Sequence, residues 1–415
     1  MSTATLAAPA DRADVAVIGA GILGLATAYQ LRARRPDLRI VVVEREPEVA
    51  AHQSGHNSGV LHAGIYYPPG SLKARLCVEG KAEMEAFADA HGIPRLVCGK
   101  LVVAIDESEL PRLETIRQRG EASGVPGLEA VGPERLREIE PAAAGIRAVW
   151  SPRTGIIDYR QVTIALARDL AAQEVVLETS RLVHRIERTP RGFILRTPHG
   201  DLVARRVITC AGLWSDRMAS MTGDGGAERI VPFRGDYYTL RPEARSLVQG
   251  LIYPVPDPRF PFLGVHFTRR IDGEVWAGPN AVLAMARAGY RRRDLNVRDL
   301  VSALTDRGFL RLARRHWRTG AAEMWRDIWK PAFMADLRRL VPAVQSDQLT
   351  FGPSGVRAQA IDPDGSLVED FRFGGSQGIL HVRNAPSPAA TASLAIGRVV
   401  AETAIQQFDL APGFS

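Results

Sequence analysis

Three cysteines in 415 residues are too few and too scattered for a disulfide framework. Cys77, Cys98 and Cys210 share no metal-type spacing, so no metal site is expected, and a reducing, cytoplasmic setting suits them. No uninterrupted apolar run approaches the roughly 20 residues of a bilayer-spanning helix, which argues against a transmembrane anchor. Residues 1–12 lack the basic flank and apolar core of a signal peptide and are expected to form a loose tail. Lysine is scarce, confined to Lys73, Lys81, Lys100 and Lys330. The net charge of +7 is therefore an arginine bias, and with no RNA-binding module in the chain it does not call for nucleic acid. What is present, 46% hydrophobic and 24% charged residues, is the composition of a folded chain with room for two or more cores.

The chain is organised around residues 14–44. Asp14 to Ile18 is an apolar run of strand length, Gly19-Ala20-Gly21-Ile22-Leu23-Gly24 follows at once, and an Ala/Leu-rich segment runs on to about Arg34. Gly19 permits a tight turn, Gly21 lets the backbone approach a pyrophosphate, and Gly24 lets helix and strand pack closely. A second strand, Arg39 to Val43, delivers Glu44. A carboxylate there can accept from ribose hydroxyls and repels a 2′-phosphate, so the expected ligand is FAD or NAD rather than NADP.

Downstream, Ser54 to Tyr67 is rich in glycine and small polar residues and carries His56 and His62, so it can lie against a flat ligand and bring two imidazoles to it. Apolar spacing predicts a helix over 71–91 and a polar one over 110–122. Strand-like runs at 175–177, 182–188 and 193–197 predict a small antiparallel layer. The run Arg206 to Asp216 reads as a buried strand ending in a glycine turn, a second backbone approach to the cofactor. Residues 229–280 are β-rich, with aromatics, a histidine and arginines alternating as in a sheet roofing a polar ligand. Residues 287–342 read as helical and basic, with Val301, Leu304, Leu312 and Trp317 on one helix face and Pro331 kinking or ending the second helix. That stretch is either a solvated face over ordinary core or a peripheral contact with an anionic membrane surface. Near the end, Ser387 suits an N-cap and Pro388 a first helical turn, which would aim a positive helix end at a flavin.

The amino-terminal fingerprint, Ala211-Gly212-Leu213-Trp214-Ser215-Asp216 and Gly355-Val356-Arg357 resemble the FAD-dependent D-amino-acid oxidase superfamily. Within it His56 to Tyr67, Leu263 to Arg269 and Asn384 to Thr391 resemble the L-2-hydroxyglutarate oxidases and dehydrogenases, over nearly the whole chain. The resemblance implies an α/β fold: a Rossmann-like FAD-binding unit over 1–88, 150–222 and 345–415, and a sheet-plus-helices substrate unit over 89–149 and 223–344. It implies oxidation of L-2-hydroxyglutarate to 2-oxoglutarate, with oxygen or a membrane quinone taking the electrons. Carried over residue by residue, the FAD contacts are Gly19, Gly21, Ile22, Gly24, Glu44 and Arg45, then His56, Asn57, Ser58, Gly59, Val60 and Leu61. Val183, Ala211 and Gly212 follow, and Ser387, Ala389, Ala390 and Thr391 match the pyrimidine edge. His56 also stands where some amine-oxidising relatives tether their flavin, and Lys330 sits in a segment that departs from the family pattern.

A five-carbon 2-hydroxy diacid needs two cationic anchors, one of them a planar fork. Arg357 is the first, at the position of the amino-acid oxidases' carboxylate clamp, and Arg269 the second. Hydride leaves Cα only as the hydroxyl proton departs, so a neutral imidazole is the natural base. His266 is favoured, with His62 placing the flavin or substrate, and with Tyr237, Tyr238 and Asn384 contacting substrate. The alternatives are an amine or amino-acid oxidase or a glycerol-3-phosphate dehydrogenase on the same scaffold, and an FAD-carrying RNA-binding protein, whose binding would fall steeply with salt.

Overall fold

The structure, a computed structural model, describes residues 12–257 and 264–410; the tail expected over 1–12 falls almost wholly outside it, as does Leu263. Arg12–Ile18 lies parallel between Ile40–Val43 and Leu202–Thr209 in an eight-stranded sheet, with Ile379–Asn384 also parallel to Leu202–Thr209. Strands of a parallel sheet are covered on both faces and so read as continuous apolar runs, as Ile40–Val43 does throughout and Arg12–Ile18 does from Val15 on, whereas Arg205 and Arg206 interrupt Leu202–Thr209. Val15 and Val17 face a core made with helices Ile22–Arg34, Tyr159–Ala172 and Ser393–Gln407. Their neighbours Ala16 and Ile18 face Phe193, Leu195 and Met218 on the other side. The three runs expected to form a small antiparallel layer all belong to this sheet, and only two of them are antiparallel. Val176–Glu178 extends it parallel to Ile40–Val43, while Arg185–Thr189 and Gly192–Arg196 form an antiparallel meander on Leu202–Thr209. Short apolar runs do not themselves announce their partners.

A nine-stranded sheet forms the second layer, centred on Arg229–Leu240 and including Lys100–Ala104, Leu251–Pro254 and His266–Arg269 as neighbours. Leu349–Ile361, placed on sequence with the cofactor unit, pairs antiparallel along the whole of Arg229–Leu240 in this second sheet. Strand alternation gives the sheet two faces. Leu101, Val103, Ile252, Phe267 and Ala277 pack against Phe333, Leu337 and Leu340 of helix Lys330–Leu340. The other face carries Lys100, Tyr253 and His266.

The basic stretch forms four helices, Val297–Leu304, Arg307–Arg315, Trp317–Ile328 and Lys330–Leu340. The single apolar face expected of Val301, Leu304, Leu312 and Trp317 does not exist. Asp306 caps a new helix by accepting from the Phe309 N–H, so these residues fall on three helices, and of the four only Leu312 is buried. Pro331 does follow the end of a helix, in the first turn of the next. The last helix begins at Ser393 after consecutive turns through 387–392, so Ser387 is not its N-cap. Among the described residues no helix is long and apolar enough to cross a membrane.

Candidate active site

A cavity of about 1550 Å³ is lined from both sheets. Its first end is made of main chain. Gly19 has φ +111°, and a Cβ there would lie 2.5 Å from the Cys210 carbonyl oxygen; a Cβ on Gly24 would overlap the Gly19 carbonyl. Gly21 stands at the N-cap of Ile22–Arg34, and the Ile22 N–H donates to Ser54 Oγ (2.9 Å). Glu44 is buried, its Oε2 accepting from the Ala20 N–H (2.7 Å) and its Oε1 from the Glu46 N–H (3.0 Å). A carboxylate has about four lone-pair sites, so two remain for hydroxyl donors. Arg45 lies over the Trp214 ring at 4.3 Å and pairs with Glu46. Val183, Ala211 and Gly212 complete this end. Gly24 does not itself line the cavity; its part is to let helix and strand close.

Midway, the 54–62 segment lies along the lining. Asn57 does not offer its amide to the cavity: Nδ2 donates to the Gln53 and Ser54 carbonyls and Oδ1 accepts from the Gly59 N–H, closing the turn. Arg270 pins the same loop by donating to the Asn57 carbonyl (3.0 Å) while its guanidinium lies 4.0 Å from the centre of the Trp276 ring. His56 stacks on Tyr290 at 4.0 Å. Ser58, Gly59 and Val60 line the cavity, whereas Leu61 turns into the first core. Opposite them Ser387, Ala389, Ala390 and Thr391 also line it. The Thr391 hydroxyl is fully buried and knots this turn to the segment, accepting from the His62 N–H (3.1 Å) and meeting Tyr159 Oη (2.7 Å) and the Val60 carbonyl (3.2 Å). Asn384 Nδ2 donates to the Val368 and Asp370 carbonyls, leaving Oδ1 buried without a partner. A glycine cradle without room for Cβ, a buried carboxylate with spare lone pairs and an orphaned acceptor in the lining fit FAD.

The far end is made of side chains. His266 is buried, and its Nδ1 lies 2.8 Å from the Gly264 carbonyl oxygen. A carbonyl only accepts, so Nδ1 carries the proton and Nε2 keeps its lone pair. Its ring stacks on Tyr253 at 3.8 Å. Burial, and then the charges of Lys100 and Arg357, push the His266 pKa down to about 3, although the Gly264 bond works the other way. His62 is held well below the usual imidazole value by burial first, then by Lys100 and His266. Both imidazoles are neutral near pH 7. Arg357 lines the cavity and hydrogen-bonds Tyr237, whose phenol burial pushes up.

Two expected contacts fall elsewhere, both by strand alternation. Tyr238 faces away from Tyr237, packing on Phe333 (5.0 Å) and Phe351 (5.7 Å) with Lys330 over its ring. Lys330 itself donates to the Ser346 and Leu349 carbonyls, outside the cavity. Arg269 leaves the strand on the face opposite His266 and donates to the Gln249 carbonyl, outside the cavity lining in which it was expected. Sequence reading missed Lys100, Tyr66 and Tyr253, although a lysine heading the apolar run Lys100–Ala104, in a chain with only four, was a usable signal.

Residues 14–403 match the FAD dependent oxidoreductase family, DAO. The chain is 48% identical to the mitochondrial L-2-hydroxyglutarate dehydrogenase of Nematostella vectensis, over 97% of this chain and 92% of that one. It is 43% identical to the L-2-hydroxyglutarate dehydrogenase of Indibacter alkaliphilus, over 95% of this chain and 99% of the other. Among solved structures, dithionite-reduced L-alpha-glycerophosphate oxidase from Mycoplasma pneumoniae with FAD bound superposes with TM-score 0.76 at 22% identity, covering 95% of each chain. Glycine oxidase from Geobacillus kaustophilus gives 0.69 at 19%, again covering 95% of each; at such identities the likeness is one of fold. Glycine cradle, buried acid and family match agree: the chain belongs to the FAD dependent oxidoreductase family.

Proposed function

We propose that this chain oxidises L-2-hydroxyglutarate to 2-oxoglutarate. The observation that carries the reading is a neutral His266 with a free Nε2 in the same lining as the Arg357–Tyr237 pair. The names of the relatives support the substrate. Arg357 holds the α-carboxylate by its planar fork, with the Tyr237 hydroxyl as a further donor. His266 Nε2 takes the hydroxyl proton, and neutral His62 beside it keeps a second positive charge away from the newly formed imidazolium. Bound FAD supplies the acceptor for the hydride leaving Cα. Glu44 and the glycine turn would hold its dinucleotide half, and Asn57 and Thr391 fix the shape of the two lining loops that would receive its ring.

We further propose a membrane quinone rather than oxygen as final acceptor. Support comes from Trp317, Trp325, Ile328 and Trp329, all exposed on the outer helices beside Arg314, Arg315 and Arg318. Exposed aromatics beside cations suit an anionic membrane surface, and the three free thiols suit a cytoplasmic one.

Anaerobic mixing of the holoprotein with L-2-hydroxyglutarate, D-2-hydroxyglutarate and glycerol 3-phosphate, followed at the flavin band near 450 nm, tests the substrate. Bleaching by the L-isomer alone is expected. Bleaching by glycerol 3-phosphate, or by none of the three, would overturn the reading. Air and a soluble quinone, admitted separately to the bleached protein, then decide the acceptor, with fast recovery expected only with quinone.

A further inference from the structure

The buried cations Arg234 and Arg287 are paired with Asp236 and Asp216, but a third, Lys100, has no such partner among the described residues. Lys100 is 1% exposed, yet among the described residues its ammonium has no carboxylate and no hydrogen-bond acceptor. It lies 3.8 Å from the centre of the Tyr253 ring and 4.6 Å from that of Tyr66. Ring faces return only part of what an ammonium loses on leaving water, so a buried lysine held by two tyrosines is unfavourable until an anion arrives. A second group beside it is also unsatisfied: the Tyr66 hydroxyl is buried without a partner. Both tyrosines line the cavity, and Lys100, outside the lining itself, lies against their rings, so that a carboxylate entering between them would meet its ammonium.

Its placement is equally specific. Lys100 pairs in register with Leu251, two residues before Tyr253 on the same face, and the next strand over carries His266, on which Tyr253 stacks. Leu101 and Val103 go to the helix-covered core, so Lys100 is turned toward the cavity side of the sheet. Lysine, tyrosine and histidine thus form one row across three adjacent strands, ending on the base.

We propose that Lys100 and the Tyr66 hydroxyl form the second carboxylate seat, taking the distal carboxylate of a 2-hydroxy diacid while Arg357 takes the α-carboxylate. The proposal rests on the function proposed above and fills the place that Arg269 vacates. The seat makes the enzyme select diacids over monoacids of equal chain length, because a monoacid would leave the ammonium and the hydroxyl buried and unpaired. Burial pushes the Lys100 pKa down to about 7, with Cys77 and Cys98 acting in the opposite direction, so an arriving anion would also fix its proton.

The test uses FAD-loaded full-length wild type, Lys100→Met and Tyr66→Phe, with anaerobic flavin bleaching by L-2-hydroxyglutarate and by L-2-hydroxypentanoate. The wild type is expected to favour the diacid, and the diacid-to-monoacid ratio of kcat/KM to fall about 100-fold in Lys100→Met and about 10-fold in Tyr66→Phe, mainly through KM. A Lys100→Met protein that holds FAD and keeps the wild-type ratio overturns the seat. Where that variant does not hold FAD, Tyr66→Phe decides by the same ratio. If neither acid bleaches the wild type, the proposed function fails by itself; the seat is then judged by titrating glutarate and pentanoate into the wild type and following the flavin spectrum. Tighter binding of glutarate, by about 10-fold or more, supports it, and equal binding overturns it.

Discussion

The two ends of the cavity are built from opposite materials. At the dinucleotide end, main chain from a few contiguous residues does the holding, and the side chains that matter most are the ones missing at Gly19 and Gly24. At the substrate end, His62, Tyr237, His266 and Arg357 converge from segments far apart in sequence, with Lys100 behind Tyr66 and Tyr253, and burial has moved the pKa values of His62, Lys100, Tyr237 and His266. Away from the buried Glu44, the first end should therefore tolerate changes of charge but not of volume. The second should tolerate changes of volume far better than changes of charge.

The largest effect that would break this contrast is at Gly24. Gly24→Ala sets a methyl group against the Gly19 carbonyl, and main chain cannot move aside as a flexible side chain can. The purified protein is expected to carry no FAD, read from the ratio of flavin to protein absorbance, and to melt well below wild type. Stoichiometric FAD in that variant would show that the cradle is looser than its geometry. Next is His266→Asn, which should keep FAD yet slow anaerobic flavin reduction by about 10²–10⁴-fold, the usual worth of a positioned base. Slowing below tenfold would move the base to His62. Arg357→Ala should cost about 3 kcal/mol in kcat/KM, roughly 100-fold, as a charged partner of the substrate carboxylate is removed. An unchanged value would leave the α-carboxylate to another cation.

The same contrast explains what could be read from the chain beforehand. Gly19 to Glu44 is contiguous, and strand, turn, helix and acid each have a local physical cause, so a dinucleotide other than NADP and the fold around it were legible, the choice of FAD coming from the family resemblance. Tyr237 and Tyr238 are adjacent, but only the pairing of Arg229–Leu240 with its neighbours decides which of them meets the cavity. Arg269 falls outside the lining for the same reason, since one residue of strand register separates the cavity face from the outer face. Lys100 could be picked out as a lysine heading an apolar run, but what makes it unusual, the lack of any counter-charge among the described residues, is a property of its surroundings.

The smallest expected effect sharpens the contrast at its weakest point, stability in acid. His266 has a folded-state pKa of about 3, below the 6.5 of an unfolded imidazole. As pH falls the unfolded chain takes up the proton first, so the stability this residue contributes is complete above about pH 6.5 and drains away toward pH 3. Between pH 7 and 5 that loss is about 2 kcal/mol, and His62, shifted in the same direction, adds to it. Chemical denaturation at the two pH values should show a steeper acid loss in wild type than in His266→Asn, by roughly that amount. Equal losses would mean that His266 is already solvated or charged at pH 5. It could not then be the dry, neutral base that the row of Lys100, Tyr253 and His266 requires, and the substrate end would be no more sensitive to charge than the glycine turn.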